Sequence, residues 1–376
     1  MSRFVSLVSA VLLAAATPNL LLAQAAATDT APKISLGAFV DSYYAWDFGR
    51  PPSFDRSFAG GTVFTTQPSR HNEFNVNLAF VEMKLDAPHY RGRFALQAGT
   101  SVQSNYAGEP TRGTVSGASL SRLIQEAVVG IRLSENIWVD GGVFYSNAGM
   151  EAWASRDNPT YTRSLVADYS PYYSSGVKLT WNATKKLTAR VDVVNGWQNI
   201  SENNSGKGAG LRLDYAANAA STLSYYNFFS DEAGSRLRTF NGVGIKQTNG
   251  NLTLLGEFDV GTQAKPVGQT GHSTWYGWTA VARVQTTPVV ALLFRAEGYN
   301  DKDQVIVSTG TYRFAANPPL DGLGGSVGVD VTPYPRIAWR NELRGLHNNA
   351  ALFPDGTNIS ASKNNIIAVT SLSLSF

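Results

Sequence analysis

The last eleven residues, Ile366 to Phe376, place Ile366, Ala368, Thr370, Leu372, Leu374 and Phe376 on one side of an extended chain. Ile367, Val369, Ser371, Ser373 and Ser375 fall on the other side, because strand side chains alternate with period two. A terminal strand with one oily face needs a partner, since an exposed apolar edge invites aggregation. An edge strand of a soluble sandwich can end this way. A closed barrel supplies the partner from the first strand of the same chain.

The alternation recurs upstream. Ile34, Leu36, Ala38 and Val40 oppose Ser35, Gly37, Phe39 and Asp41, with Tyr43, Tyr44 and Trp46 clustered at the far end like an interfacial girdle. Phe48 to His71 reads as a long loop. Asn72 to Asp86 reads as a strand whose apolar face shifts between Phe80 and Val81, which suggests a bulge there. Phe94, Leu96, Ala98, Thr100 and Val102 give the next outward face, and Gln103 to Ser121 a second long loop. Gln125, Ala127, Val129, Ile131 and Leu133 then oppose Arg122, Glu126, Val128 and Arg132. Ser134 to Asn136 is a tight turn into Ile137, Val139, Gly141, Val143 and Tyr145, and Asn147 to Pro171 is a third long loop.

Strands follow near 172–182, 187–197, 208–216, 221–230, 238–248, 252–262, 273–285, 289–300, 323–332, 336–346 and 364–376. Tight connections such as Asn249-Gly250-Asn251, where both Asn and Gly tolerate positive φ, alternate with long ones such as 301–322 and 347–363. The expectation is an all-β chain: a transmembrane antiparallel up-and-down β-barrel of about 16 strands, with short periplasmic turns and long extracellular loops.

Composition agrees. Charged residues are 16%, against the roughly 25% usual in soluble proteins, while Gly (35 residues) and aromatics (11%) are plentiful. Without Cys there is no disulfide framework and no thiolate chemistry. Arg3, the apolar stretch Val5 to Ala16 and Ala23-Gln24-Ala25 read as a secretory signal over residues 1–25, leaving 26–376 as one barrel domain. A transmembrane anchor is disfavoured because Pro18 and Asn19 interrupt a short apolar run. The formal charge of +3 falls to +2 without Arg3, too balanced for a nucleic-acid protein. No downstream apolar run would make a membrane helix, so a membrane chain of this kind must close its strands into a barrel.

Asn158-Pro-Thr-Tyr-Thr-Arg-Ser164, Pro171-Tyr-Tyr-Ser-Ser-Gly-Val-Lys178, Val194-Asn-Gly-Trp-Gln-Asn199 and Gly210-Leu-Arg-Leu-Asp-Tyr215 resemble the OmpL-like beta-barrel porin family of Gram-negative outer membranes, over about Ile34 to Phe376. The resemblance implies an outer-membrane barrel of the porin kind, set in lipid and lipopolysaccharide, and carries no defined solute or catalytic residues. The terminal Phe376 also resembles the signal by which the barrel-assembly machinery recognises such chains. Trimers are usual for barrels of this size, so a homotrimer is one assembly open to it, although lipid-facing and subunit-facing residues look alike in the sequence.

A barrel this wide leaves an aqueous lumen, and strand charges should face it, because they are costly against lipid. Arg190, Asp192, Arg212, Asp214, Glu257, Asp259, Arg283, Arg295, Glu297, Arg336, Arg340, Glu342 and Arg344 alternate with apolar neighbours. They could form a transverse field across a constriction or simple cross-strand ion pairs. The loop 147–171 is the candidate constriction. Arg156 and Arg163 would favour anions, and Trp153 and Tyr161 could offer a sugar-stacking surface. An exposed loop with interface aromatics is the bland alternative.

His71, His89, His272 and His347 lie in expected loops or turns without a nucleophile motif, so a rim hydrolase is weakly supported. Glu257 and Asp259 can be imagined as a glycosidase pair but read better as lumen charges. No metal site or cofactor is expected, and the Asn-x-Ser/Thr sequences at Asn182, Asn199, Asn203, Asn251 and Asn358 read as coincidence. The functional expectation is passive diffusion of small hydrophilic solutes. The alternative is a plugged barrel with a structural or adhesin-like role.

Overall fold

The computed structural model describes residues 31–376 except 233, 235 and 357–359. The signal-peptide expectation lies outside the described residues.

Sixteen strands form one closed antiparallel barrel. They are β1 (Lys33–Asp47), β2 (Phe74–Asp86), β3 (Tyr90–Ala98), β4 (Ile124–Ser134), β5 (Ile137–Tyr145), β6 (Tyr173–Asn182), β7 (Leu187–Val194), β8 (Gly208–Asn218), β9 (Ser221–Glu232), β10 (Arg236–Asn249), β11 (Leu252–Ala264), β12 (His272–Gln285), β13 (Val290–Asp301), β14 (Leu320–Tyr334), β15 (Ile337–Asn348) and β16 (Asn364–Ser375). Closure comes from β1 against β16, in register from Phe39 opposite Ser375 to Asp47 opposite Ile367. The Phe376 amide extends the seam by donating to the Ala38 carbonyl at 2.9 Å. Every strand therefore has two neighbours and no edge is left to aggregate.

The outward positions form an apolar belt, with Leu36, Val81, Val129, Val191, Val243, Phe294, Leu343 and Leu372 all exposed. A continuous belt is far larger than the few hundred Å² that soluble monomers expose, and a hydrocarbon solvent accounts for it. Among the described residues, no helix is long and apolar enough to cross a membrane.

Four local expectations are corrected. The face shift in β2 arises at Asn77, earlier than Phe80: Asp41 pairs with Leu78 but Ser42 with Val76. Asn77 is the inserted residue, and Leu78 and Phe80 consequently turn inward and are buried. Thr100 and Val102 leave the sheet. Gly99, at φ 136°, ends β3, and Thr100–Asn105 forms a short helix that buries Val102. Only glycine fits there, because a Cβ would lie 2.3 Å from the Asn77 carbonyl oxygen. Gln125 is likewise an inserted residue, between Ile124 opposite Leu96 and Glu126 opposite Ala95, and is buried rather than outward. Arg336 sits exposed in the β14 to β15 turn, at the barrel mouth rather than on an inner face.

The interior departs furthest from expectation. Instead of water throughout, the end bearing the long loops holds a dry core of Phe58, Phe64, Phe144, Leu165, Val166, Tyr226, Phe228, Phe240, Trp275, Tyr299 and Phe353. Loops 48–73, 146–172 and 349–363 contribute to it alongside the strands. Inward glycines make room: a Cβ on Gly261 would lie 2.0 Å from the Trp275 ring, and one on Gly242 2.0 Å from Tyr226. Small residues beside large ones fill a lumen that would otherwise be wide.

Candidate lumen site

The connection between β5 and β6 does not stand out from the barrel. It turns inward, with a 3₁₀ turn at Ser155–Asp157 and a short helix at Leu165–Asp168 whose first residue follows the capping Ser164. Strand charges hold it there. Arg340 donates to the carbonyls of Ser155 (2.5 Å), Pro159 (2.9 Å) and Asn158 (3.3 Å). Glu342 accepts from the Thr162 amide at 2.8 Å and its hydroxyl at 2.7 Å, while Arg295 donates to the Thr162 carbonyl at 2.6 Å. Glu297 accepts from the Leu165 amide at 2.7 Å, and Glu257 from the Met150 amide at 3.2 Å. Asp192 accepts from Asn147, and Arg212 donates to the Gly149 carbonyl at 2.7 Å. Apart from Asp192, which holds the Asn147 side-chain amide, these inward side chains act first as moorings for backbone groups that would otherwise be buried without partners.

The moorings are themselves paired. Arg344 donates to both oxygens of Glu297, at 2.8 and 2.9 Å, and Arg295 lies 3.1 Å from Glu342 and 3.3 Å from Glu297. All four side chains have no solvent exposure. Glu257 and Asp259 are bridged by the Tyr226 hydroxyl, 2.5 and 2.6 Å away, and both are buried. That burial denies them the solvent-accessible geometry a glycosidase pair needs.

Of the four predicted loop residues, one faces open lumen. Arg163 is fully buried, its guanidinium 3.2 Å from the Tyr172 ring centroid and 4.6 Å from that of Trp153. Trp153 donates its indole N–H to Gln97 at 2.8 Å, and Tyr161 is fully buried, so neither offers a face to a sugar. Arg156 retains 28% side-chain exposure, rests over Phe39 and Phe80, and lies 3.6 Å from Asp157. In the same loop, burial pushes the Glu151 carboxyl above its ordinary range, opposed by Arg295 and by Ser164.

Open space lies toward the short-turn end. A cavity of about 660 Å³ is lined by Glu82, Arg93, Glu126, Lys178, Arg190, Arg212 and Asp214 among others. A second of about 390 Å³ includes Lys246, Arg283, Asp330 and Arg340, and Arg156 and Asp157 line both. In the first, Arg190 meets Asp214 at 2.6 Å, and Arg93 pairs with both Glu82 and Glu126. Lys178 lies over the Phe144 ring, 4.3 Å from its centroid. Arg93, Lys178, Lys246 and Asp330 were not singled out from the sequence, and Glu126 was placed on the face away from lipid without a role. Their inward alternation on β3, β4, β6, β10 and β14 was the available signal.

Of the four histidines only His71 is buried; His89, His272 and His347 are exposed, and His272 and His347 lie on β12 and β15 rather than in loops. His71 accepts the Asp47 amide at 3.0 Å and contacts the rings of Trp46 and Phe54, and burial holds its pKa below the ordinary value. His347 bonds Asn364 at 2.7 Å. Among the described residues no cluster of His, Asp or Glu could hold a metal ion.

A sixteen-stranded antiparallel barrel with the connection after its fifth strand folded into a charged lumen has the architecture of a porin. The chain belongs to the family described as "Putative beta-barrel porin-2, OmpL-like", whose model matches residues 33–376. Solved structures agree on the fold. An anion-selective porin from Comamonas acidovorans aligns at TM-score 0.58 and 12% identity, covering 92% of this chain and 100% of that one. OmpF of Salmonella typhi, in complex with daunomycin, aligns at 0.58 and 14%, covering 93% and 100%. OmpT of Vibrio cholerae aligns at 0.57 and 7%, covering 93% and 99%. No curated protein matches the chain significantly.

Proposed function

We propose that this protein is an outer-membrane porin that passes small hydrophilic solutes by passive diffusion and catalyses no reaction. The carrying observation is the water-facing, charge-lined space beneath the inward loop, bounded by Arg156, Arg190, Arg212 and Asp214. Fixed charges of both signs along a hydrated wall replace part of a solute's hydration, and the loop sets the radius. In this reading the short turns face the periplasm and the long loops the exterior. Lipid and lipopolysaccharide cover the apolar belt, and the assembly machinery reads the strand ending in Phe376. A homotrimer fits too: in-vitro folded OmpT of Vibrio cholerae, which shares the fold, has a trimer form.

The dry core at the long-loop end favours a second reading, a closed barrel whose exterior loops bind a partner. Planar-bilayer recording separates the two. Stepwise conductance from folded protein is the expected result, and its absence supports the closed barrel.

A further inference from the structure

The smaller cavity is electrically unbalanced. Its walls present Arg156, Lys246, Arg283, Arg336 and Arg340 against Asp157 and Asp330, five cations less two carboxylates, or +3. Asp330 has nothing left to offer: Arg283 pairs with one oxygen, and Arg340 Nε donates to the other at 3.0 Å. The terminal nitrogens of Arg340 are already committed to the loop carbonyls. Asp157 stands 3.6 Å from Arg156 and is 57% exposed. The Lys246 ammonium and the Arg336 guanidinium make no hydrogen bond or ion pair with any described residue, although both residues bond through their backbones. The remaining polar lining is largely hydroxyl: Thr248, Thr253, Thr332, Ser373 and Ser375.

Ammonium, guanidinium and hydroxyl groups share one capacity, hydrogen-bond donation to a compact anion. A volume of about 390 Å³ has room for such an ion with several waters. The lone cations come from β10 and the β14 to β15 turn, with three strands between β10 and β14 in the barrel, and Arg156 enters from the inward loop. We infer that this cleft, at the short-turn mouth of the lumen, is a binding site for a small oxyanion: a phosphate, sulfate or carboxylate group. Lys246, Arg336 and Arg156 are its donors, and Asp330 fixes Arg283 and Arg340 as its back wall. It rests on the porin reading only for what the site does to traffic, namely to gather anions at one mouth.

The test uses the folded barrel in detergent micelles and inorganic phosphate as the probe, followed by ³¹P line broadening. Wild-type protein should broaden the line saturably, and Lys246→Gln with Arg336→Gln should weaken apparent affinity by about tenfold or more. Lys363→Gln, which removes an exposed lysine at the opposite end, should leave affinity unchanged. Both altered side chains of the double variant are exposed and hold no partner, so its folding, read by heat-modifiable gel mobility, should match wild type. The inference is overturned if wild type does not broaden the line, or if the double variant binds as wild type does. Parallel bilayer recordings in chloride keep the outcomes apart. Conductance without phosphate binding sinks only this site, and binding without conductance sinks only the pore.

Discussion

Glu297→Ala should cost the barrel roughly 3 to 5 kcal/mol, the range for removing one partner from a buried ion pair. The carboxylate receives two bonds from Arg344, at 2.8 and 2.9 Å, a contact from Arg295 at 3.3 Å and the Leu165 amide at 2.7 Å. Its loss strands the Arg344 guanidinium, which no water reaches, and leaves Arg295 with Glu342 as its remaining carboxylate partner. Water cannot repair the site without opening the dry core around Leu165, so the loop helix should detach with it. Urea titration followed by heat-modifiable gel mobility measures the shift. Glu297→Gln, which keeps an acceptor for Leu165 but loses the charge, should fall between alanine and wild type. An alanine variant within about 1 kcal/mol of wild type would mean that the network contributes no more than an ordinary surface contact.

Replacing residues 152–168 by a short Gly/Ser linker should raise single-channel conductance several-fold, because a barrel of this circumference is wide once its loops are withdrawn. The deletion removes Arg163, Trp153 and Tyr161 with their packing. It also removes Asp168, which accepts from the hydroxyls of Thr65 (3.0 Å) and Thr66 (2.5 Å) and so anchors loop 48–73 within the lumen. Asp168→Ala alone should give a smaller increase with noisier open states, by freeing that second loop. If a folded deletion variant conducts as wild type does, the solute path does not run past this loop.

Much of the barrel was legible in the sequence because its cause is local. Each strand must show lipid one face and the interior the other, so period-two alternation fixes strand positions, and tight turns such as Asn249-Gly250-Asn251 fix the pairing. The bulges at Asn77 and Gln125 were misplaced or missed, because an inserted residue is defined by the partner strand's register. Inward-facing charges were legible for the same reason as the strands.

Their use was not. Alternation says that Arg295, Arg340 and Glu342 point inward, but not whether they meet water or the backbone of a loop more than a hundred residues away. Trp153 and Tyr161 look like surface aromatics in a polar loop, yet both are buried. The sequence by itself determined that this chain closes its edges, faces lipid outside and carries charge inside, since those follow from the environment of each residue along its own strand. Only the tertiary structure decided that one end of the lumen is dry, that the other is basic, and which arginines remain free. Those depend on which distant groups meet when sixteen strands close into a ring.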